Sequence, residues 1–294
     1  MIDMIKKVLH STIAKIIIGF IVIIVAYNFP LVWLNNILRA FKEIQIARLI
    51  IIPIISIIFV LVSYRVLYRY YEKRKIIELS THKIVKYLLV GLLLGLFLTS
   101  LSILVAYLRD EYIILSISGL TIIFFRDLTI SIGFGIATAV FEEVLFRGIL
   151  FRLIEEKMGS YVALIISALF FGLVHLLNEN SSLLAGVAIS IEAGILLAAA
   201  YIYTRNLWFP IAIHFAWNFS VGDLWGTEVS GESPSTSILV SKLEGSEWFT
   251  GGMFGIEASV QAMIFGLIAG VVLLVLSHKK GSIKKQQVFK MKTE

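Results

Sequence analysis

Residues 141–150 read Phe141-Glu142-Glu143-Val144-Leu145-Phe146-Arg147-Gly148-Ile149-Leu150, two adjacent carboxylates and an arginine in an otherwise apolar run. The composition around that run decides how it must be read. The chain has 294 residues, 59% of them hydrophobic and 16% charged, with a mean hydropathy of +0.92. A soluble domain carries about 25% charged residues. The run is therefore part of a membrane span, where a charged side chain at a helix centre costs roughly 2.5–3.5 kcal/mol on insertion scales. Groups placed so unfavourably are candidates for function.

A helix needs roughly 20 mainly apolar residues to cross a bilayer. Eight stretches qualify, at 11–29, 46–64, 86–108, 128–154, 160–178, 181–204, 207–226 and 252–277. The expected fold class is all-α: a polytopic membrane protein of about eight transmembrane helices, with the active site inside the bundle. No internal repeat or low-complexity linker divides it, so 1–294 reads as one membrane domain. The first span follows Lys6 and Lys7 and lacks a small-residue cleavage site, which predicts an uncleaved anchor. The apolar stretch 112–125 is too short to span and is expected to be re-entrant or interfacial. Without cysteine there are no disulfides, thiolate ligands or cysteine nucleophiles.

The net charge of +6 does not indicate nucleic acid, because no aromatic–basic recognition motif accompanies it. The basic residues form two blocks beside spans. Arg65, Arg69, Lys73, Arg74, Lys75, Lys83 and Lys86 follow the second span; Lys279, Lys280, Lys284, Lys285, Lys290 and Lys292 follow the last. The 227–250 loop instead holds Glu228, Glu232, Glu244 and Glu247 against Lys242. Positive-inside bias then predicts a multi-pass protein of the cell membrane with both termini cytoplasmic. Arg39, Lys42 and Arg48 would lie outside, and an interfacial helix over 31–45 is expected to accommodate them.

Six ionisable groups inside predicted spans stand out as candidates: Glu142, Glu143, Arg147, His175, Glu192 and His214, with Asn218 one turn beyond His214. Glu143 and Arg147 are i,i+4 and can pair on one helix face. Glu142 is i,i+5 from the arginine and points elsewhere, without a local cation. Desolvation would bring such a carboxylate towards the basicity a general base needs near neutral pH. A purely structural role, with both glutamates paired to Arg147 and Arg152, is the competing reading. A hairpin turning at Met158–Gly159 would place Glu142 and His175 about 16 residues either side of the turn, at similar depth, able to hold and deprotonate a water. His214 and Asn218 share a face and could donate to an oxyanion; the histidine could instead bind a metal. Pro210 would open the helix before them. Glu192 fits no motif; it reads as the partner of an interior polar group or as a position near the outer face. His10, His82 and His278 read as solvated residues at membrane borders or in the basic loop.

Three motifs now stand in order: EEVLFR (142–147), FGLVH (171–175) and HFAWN (214–218). They resemble the EExxxR, FxxxH and HxxxN/D motifs of the CAAX-protease and bacteriocin-processing family of intramembrane endopeptidases. The resemblance covers roughly 128–220, the expected catalytic core. It implies that Glu142 is the principal catalytic carboxylate, that Glu143 and Arg147 complete its motif, and that His175 acts with Glu142 on water. It further implies that His214 and Asn218 stabilise the tetrahedral intermediate. Glu142, His175 and His214 could supply three ligands to a zinc ion if one is used; direct activation of water by the glutamate is the alternative, and the H-E-x-x-H signature is absent. The implied substrate is a peptide or membrane protein, prenylated and CAAX-type or connected with bacteriocin maturation or immunity. Two other classes compete: a proton-coupled transporter using the same groups, against which the lack of an inverted repeat counts, and a non-catalytic binding or immunity factor.

Overall fold

A computed structural model describes residues 10–41 and 44–286; the expectations resting on Lys6, Lys7, Lys42, Lys290 and Lys292 lie outside them. Among the described residues the regular structure is helical except for one two-stranded sheet. Its helices are α1 (Thr12–Asn28), α2 (Gln45–Tyr71), α3 (Ile84–Leu108), α4 (Ile122–Glu143), α5 (Arg152–His175), α6 (Leu183–Ile189), α7 (Leu196–Thr204), α8 (Trp208–Phe219) and α9 (Val260–Lys279). The protein is a polytopic helical membrane protein. Among the described residues, six helical runs are long and apolar enough to span a bilayer. One of these, Ile122–His175, holds 54 residues and breaks at Gly159, whose φ of 81° only glycine adopts readily. That break is the predicted hairpin. α8 has 12 residues and reaches span length only with its continuation over Ser220–Leu224.

Hydroxyl side chains mark helix starts where the sequence changes from loop to apolar run: Ser11, Thr121, Ser182 and Ser259 each accept an N–H of the first turn. Four stretches among the described residues are wound as π-helix: Phe29–Leu34 after α1, and three that carry polar groups, Val144–Phe151 between α4 and α5, Ser190–Ile195 between α6 and α7, and Ser220–Leu224 after α8. Such widenings concentrate at functional sites, and these three carry Arg147, Glu192 and Asp223.

The layers follow from burial. The 183–204 run is 61% buried over its most apolar window, against 22–33% for the runs of α1, α2, α3 and α9. α6 and α7 are therefore central, while the outer helices turn rows of Ile, Leu and Val to lipid, as Ile13, Ile17, Ile21 and Ile24 do on α1. Small residues set the central contacts. Gly91 and Gly95 of α3 lie against α8: a Cβ on Gly95 would stand 2.6 Å from the Ile213 carbonyl. Gly266 and Gly270 of α9 do the same against the 192–196 backbone. This close-packing use of small residues replaces the hydrophobic drive that lipid removes.

Two expectations need correction. Residues 112–117 are not re-entrant but a strand, β1 (Tyr112–Ile117), paired antiparallel with β2 (Leu239–Leu243) with an irregularity between Ile114 and Ser116. Strand pairing with a loop more than 100 residues away leaves no local trace. No separate interfacial helix covers 31–45. α1 instead continues through a π-helical stretch (Phe29–Leu34) to Leu38, and Arg48 donates to Asn35 Oδ1 at 2.7 Å.

Charged residues gather at one end. Glu72 pairs with Lys15, Arg74 and Arg152; Glu155 pairs with Arg205 and Lys284. This belt ties α1, the loop after α2, the α4–α5 hairpin and the segment after α9. The cavity described next opens at the other end.

Candidate active site

Glu143 is fully buried and shares Oε1 between two donors: Arg147 Nη1 at 2.8 Å and His214 Nδ1 at 3.1 Å. The i,i+4 spacing accounts for the first contact, as the sequence predicts. The second crosses from the α4 junction to α8. Arg147 is also fully buried, and its Nη2 donates to the carbonyls of Ala193 and Gly194. Those oxygens are available because the Ser190–Ile195 turn is widened. The guanidinium thus fastens two π-helical turns together, with a charged partner and carbonyl acceptors to offset its desolvation.

Phe171 fills the space between these groups. Arg147 lies over its ring at 4.5 Å, the His175 ring is 4.6 Å away and the His214 ring meets it edge-on at 6.0 Å. An aromatic four residues before His175 therefore orients both imidazoles. His175 directs Nδ1 to the Phe171 carbonyl at 2.7 Å, an intrahelical bond that leaves Nε2 for the cavity.

Glu142 takes no part in this network. Its side chain is partly exposed, its Oε2 has no hydrogen-bond partner, and His214 Nε2 stands 3.9 Å away, beyond hydrogen-bond distance. Glu142, His175, His214 and Asn218 line one cavity of about 420 Å³, walled by α4, α5, α8 and the 229–234 turn. The turn is held in place by Asn178 and Asn180, which donate to the carbonyls of Ser230 and Gly231, and by Glu257, which accepts the Ser230 N–H. Of the six expected residues, four face the cavity and two, Glu143 and Arg147, support it from behind. The competing structural reading is not what the geometry shows: Arg152 pairs with Glu72 and Glu156, and Glu142 pairs with neither arginine.

Glu142, His175 and His214 are the side chains a zinc ion would need. Among the described residues, no group of three or more histidine or acidic side chains gathers closely enough to hold an ion. The donors as placed do not fit a three-ligand metal centre, and no chemical step below passes through one.

Glu192 lies away from the surface and has no paired side chain. It is 1% exposed, and neither carboxylate oxygen has a hydrogen-bond partner. It borders a second, small cavity of about 20 Å³ with His175, His214 and Glu257, enough for one water. Sequence reasoning missed Asp223 and Glu257. Glu257 accepts from Trp217 Nε1 at 3.0 Å, and Asp223 lines the larger cavity. Both fall inside the expected spans 207–226 and 252–277, so the insertion energy of a charge was the signal that could have found them.

Comparison with known proteins bears on the same segment. Residues 124–220 match the family described as "Type II CAAX prenyl endopeptidase Rce1-like". The "Putative membrane peptidase YdiL" of Bacillus subtilis (strain 168) is 34% identical over 79 residues, which cover 27% of this chain and 30% of that relative. No solved structure matches. The resemblance read from the three motifs is borne out over residues 124–220, which match the Rce1-like family.

Proposed function

We propose, taking the Rce1-like character of residues 124–220 as premise, that the protein is an intramembrane endopeptidase using Glu142 to activate water. One observation supports the reading: Glu143 is hydrogen-bonded by Arg147 and His214, while Glu142 faces the cavity with its Oε2 free of hydrogen bonds and 3.9 Å from His214 Nε2. Adjacent residues thereby take different roles. The first acts on substrate and the second holds the machinery.

A water beside Glu142 gives up a proton to the carboxylate, and His175 Nε2 orients it by accepting its other hydrogen. The resulting hydroxide attacks the peptide carbonyl carbon. His214, paired through Nδ1 with Glu143, can carry a second proton on Nε2; with the Asn218 amide it donates to the developing oxyanion. Such preorganised donors account for factors of about 10²–10³ in rate each. The proton on Glu142 passes to the leaving amine as the C–N bond breaks, which restores the carboxylate. The buried side chains of Glu143, Arg147 and His214 behind the cavity lie in a low-dielectric setting that strengthens their interactions. Substrates are peptides or membrane proteins, prenylated or not. With the basic belt on the cytoplasmic side, both termini are cytoplasmic and the cavity opens towards the opposite face.

The test is cleavage by the purified chain in detergent of a mixed peptide library that includes a prenylated CAAX-type peptide, alongside Glu142→Gln. Cleavage in the wild type, absent in Glu142→Gln, supports the reading. Full cleavage by Glu142→Gln, or Glu142-dependent solute uptake into sealed vesicles without cleavage, overturns it.

A further inference from the structure

The wall of the large cavity carries three carboxylates, Glu142, Asp223 and Glu232, and no lysine or arginine among the described residues that line it. Asp223 is the anomaly. It is 7% exposed; among the described residues Ser131 is its one hydrogen-bonding side-chain neighbour, its Oδ1 has no hydrogen-bond partner, and no cation pairs with it. Burying a carboxylate without a cation is strongly unfavourable, and Glu143, Glu155 and Glu78, also buried, are paired with Arg147, Arg205 and Arg74, whereas Asp223, like Glu192, has no such partner. Its position is also set with care. The widened turn Ser220–Leu224 continues the α8 face that carries His214 and Asn218, and the Asp223 carbonyl accepts the Ile238 N–H at 2.6 Å, which anchors the turn to the segment leading into β2.

We propose that Asp223, with Glu232 at the cavity mouth, forms an acidic subsite that takes a lysine or arginine side chain of the substrate. The inference rests on the peptidase reading and names its substrate class: peptides with a cationic residue near the scissile bond. The cation that Asp223 lacks comes with the substrate. Asp223 lies nine residues beyond His214, about 13 Å along the helix at ~1.5 Å per residue. An extended peptide covers that distance in about four residues, so the cationic residue sits within about four positions of the cleaved bond. Glu232 is exposed and draws the same charge to the mouth, where complementary potential raises the association rate.

The test separates binding from turnover. Three fluorescein-labelled, amidated nonapeptides, alternating leucine with lysine, glutamine or glutamate, are titrated onto the Glu142→Gln chain in detergent by fluorescence polarisation. The lysine peptide is expected to bind about tenfold more tightly than the glutamine peptide, and the glutamate peptide most weakly. Adding Asp223→Asn or Glu232→Gln should reduce the lysine preference to about threefold or less; Asp127→Asn, which changes a carboxylate outside the cavity, should leave it intact. Glu232→Gln carries the test should Asp223→Asn fold poorly. Equal binding of lysine and glutamine peptides overturns the subsite, as does a preference that survives both substitutions. Wild-type cleavage is scored separately: cleavage with no lysine preference removes the subsite and keeps the peptidase, whereas a lysine preference without cleavage keeps the subsite and removes the peptidase.

Discussion

His214 donates from Nδ1 to Glu143 at 3.1 Å, while its Nε2 stands 3.9 Å from Glu142. One imidazole thus touches the supporting carboxylate with one nitrogen and faces the reacting one with the other.

That division predicts opposite outcomes for two adjacent substitutions. Glu142→Gln should abolish cleavage and leave thermal stability near wild type, because no bond of the buried network is lost. Glu143→Gln should destabilise by about 3–5 kcal/mol, since Arg147 keeps its charge without a charged partner. Melting curves and cleavage rates on both variants check this. Equal destabilisation by the two would contradict the separation of roles.

Arg147→Lys preserves charge but not reach. An ammonium is a point charge and cannot keep the fork that serves Glu143 and the carbonyls of Ala193 and Gly194 together. Stability should fall, and cleavage should fall with it as α4 and the 190–195 turn separate. A variant with wild-type melting and activity would show that the carbonyl contacts are dispensable.

Gly95 sets how closely α3 approaches α8. A Cβ there would stand 2.6 Å from the Ile213 carbonyl and 2.8 Å from Ala216 Cβ. Gly95→Leu should therefore push His214 and Asn218 out of register, with the overpacking itself costing about 1–3 kcal/mol. Gly119→Ala, which meets only Thr121 at 3.8 Å, is the control and should be silent in both melting and cleavage.

The loop belt predicts a dependence of stability on acid. Burial pushes the Glu78 carboxyl up, but the hydrogen bond and charge of Arg74, aided by the Tyr64 hydroxyl, outweigh it and hold the group below the ordinary carboxylate range. Glu72 is held down likewise: burial raises it, and Arg152, Lys15 and Arg74 overcome that. A carboxyl depressed on folding contributes stability that is fully present above its unfolded value of about 4.3 and is lost as pH falls through the folded value. Melting temperature should hold down to about pH 4.3 and decline below it. In Glu78→Gln the neutral-pH melting temperature should be lower and the acid decline shallower; an unchanged profile would count against the belt.

Metal removal tests the donor geometry. Because no three such donors converge among the described residues, cleavage is expected to persist in chelator and zinc to be substoichiometric in the purified chain. Loss of cleavage in chelator with recovery on zinc would mean that an ion draws Glu142, His175 and His214 to a common point.

Much of this was legible from charge placed in apolar context. The i,i+4 spacing of Glu143 and Arg147 foretold their pairing, and the hairpin at Gly159 followed from a turn residue between two apolar runs. The β1–β2 pairing was not legible, because its partners are distant in sequence and the apolar stretch 112–117 looks the same whether it meets lipid or another strand. Nor was the Glu143–His214 bond, which needs α8 to cross the α4 junction at the right height.

The amino-acid sequence by itself determined that the chain is a helical membrane protein, and it ordered three motifs whose polar groups have no reason to sit in lipid unless they act. Local spacing and transfer energy decide those things, and both can be read one segment at a time. Only the tertiary structure decided which carboxylate is occupied and which is available, and that Asp223 and Glu192 are buried without a cation. Partnership inside a bundle depends on how closely helices approach and where their turns widen, and glycine contacts between segments far apart in sequence set both.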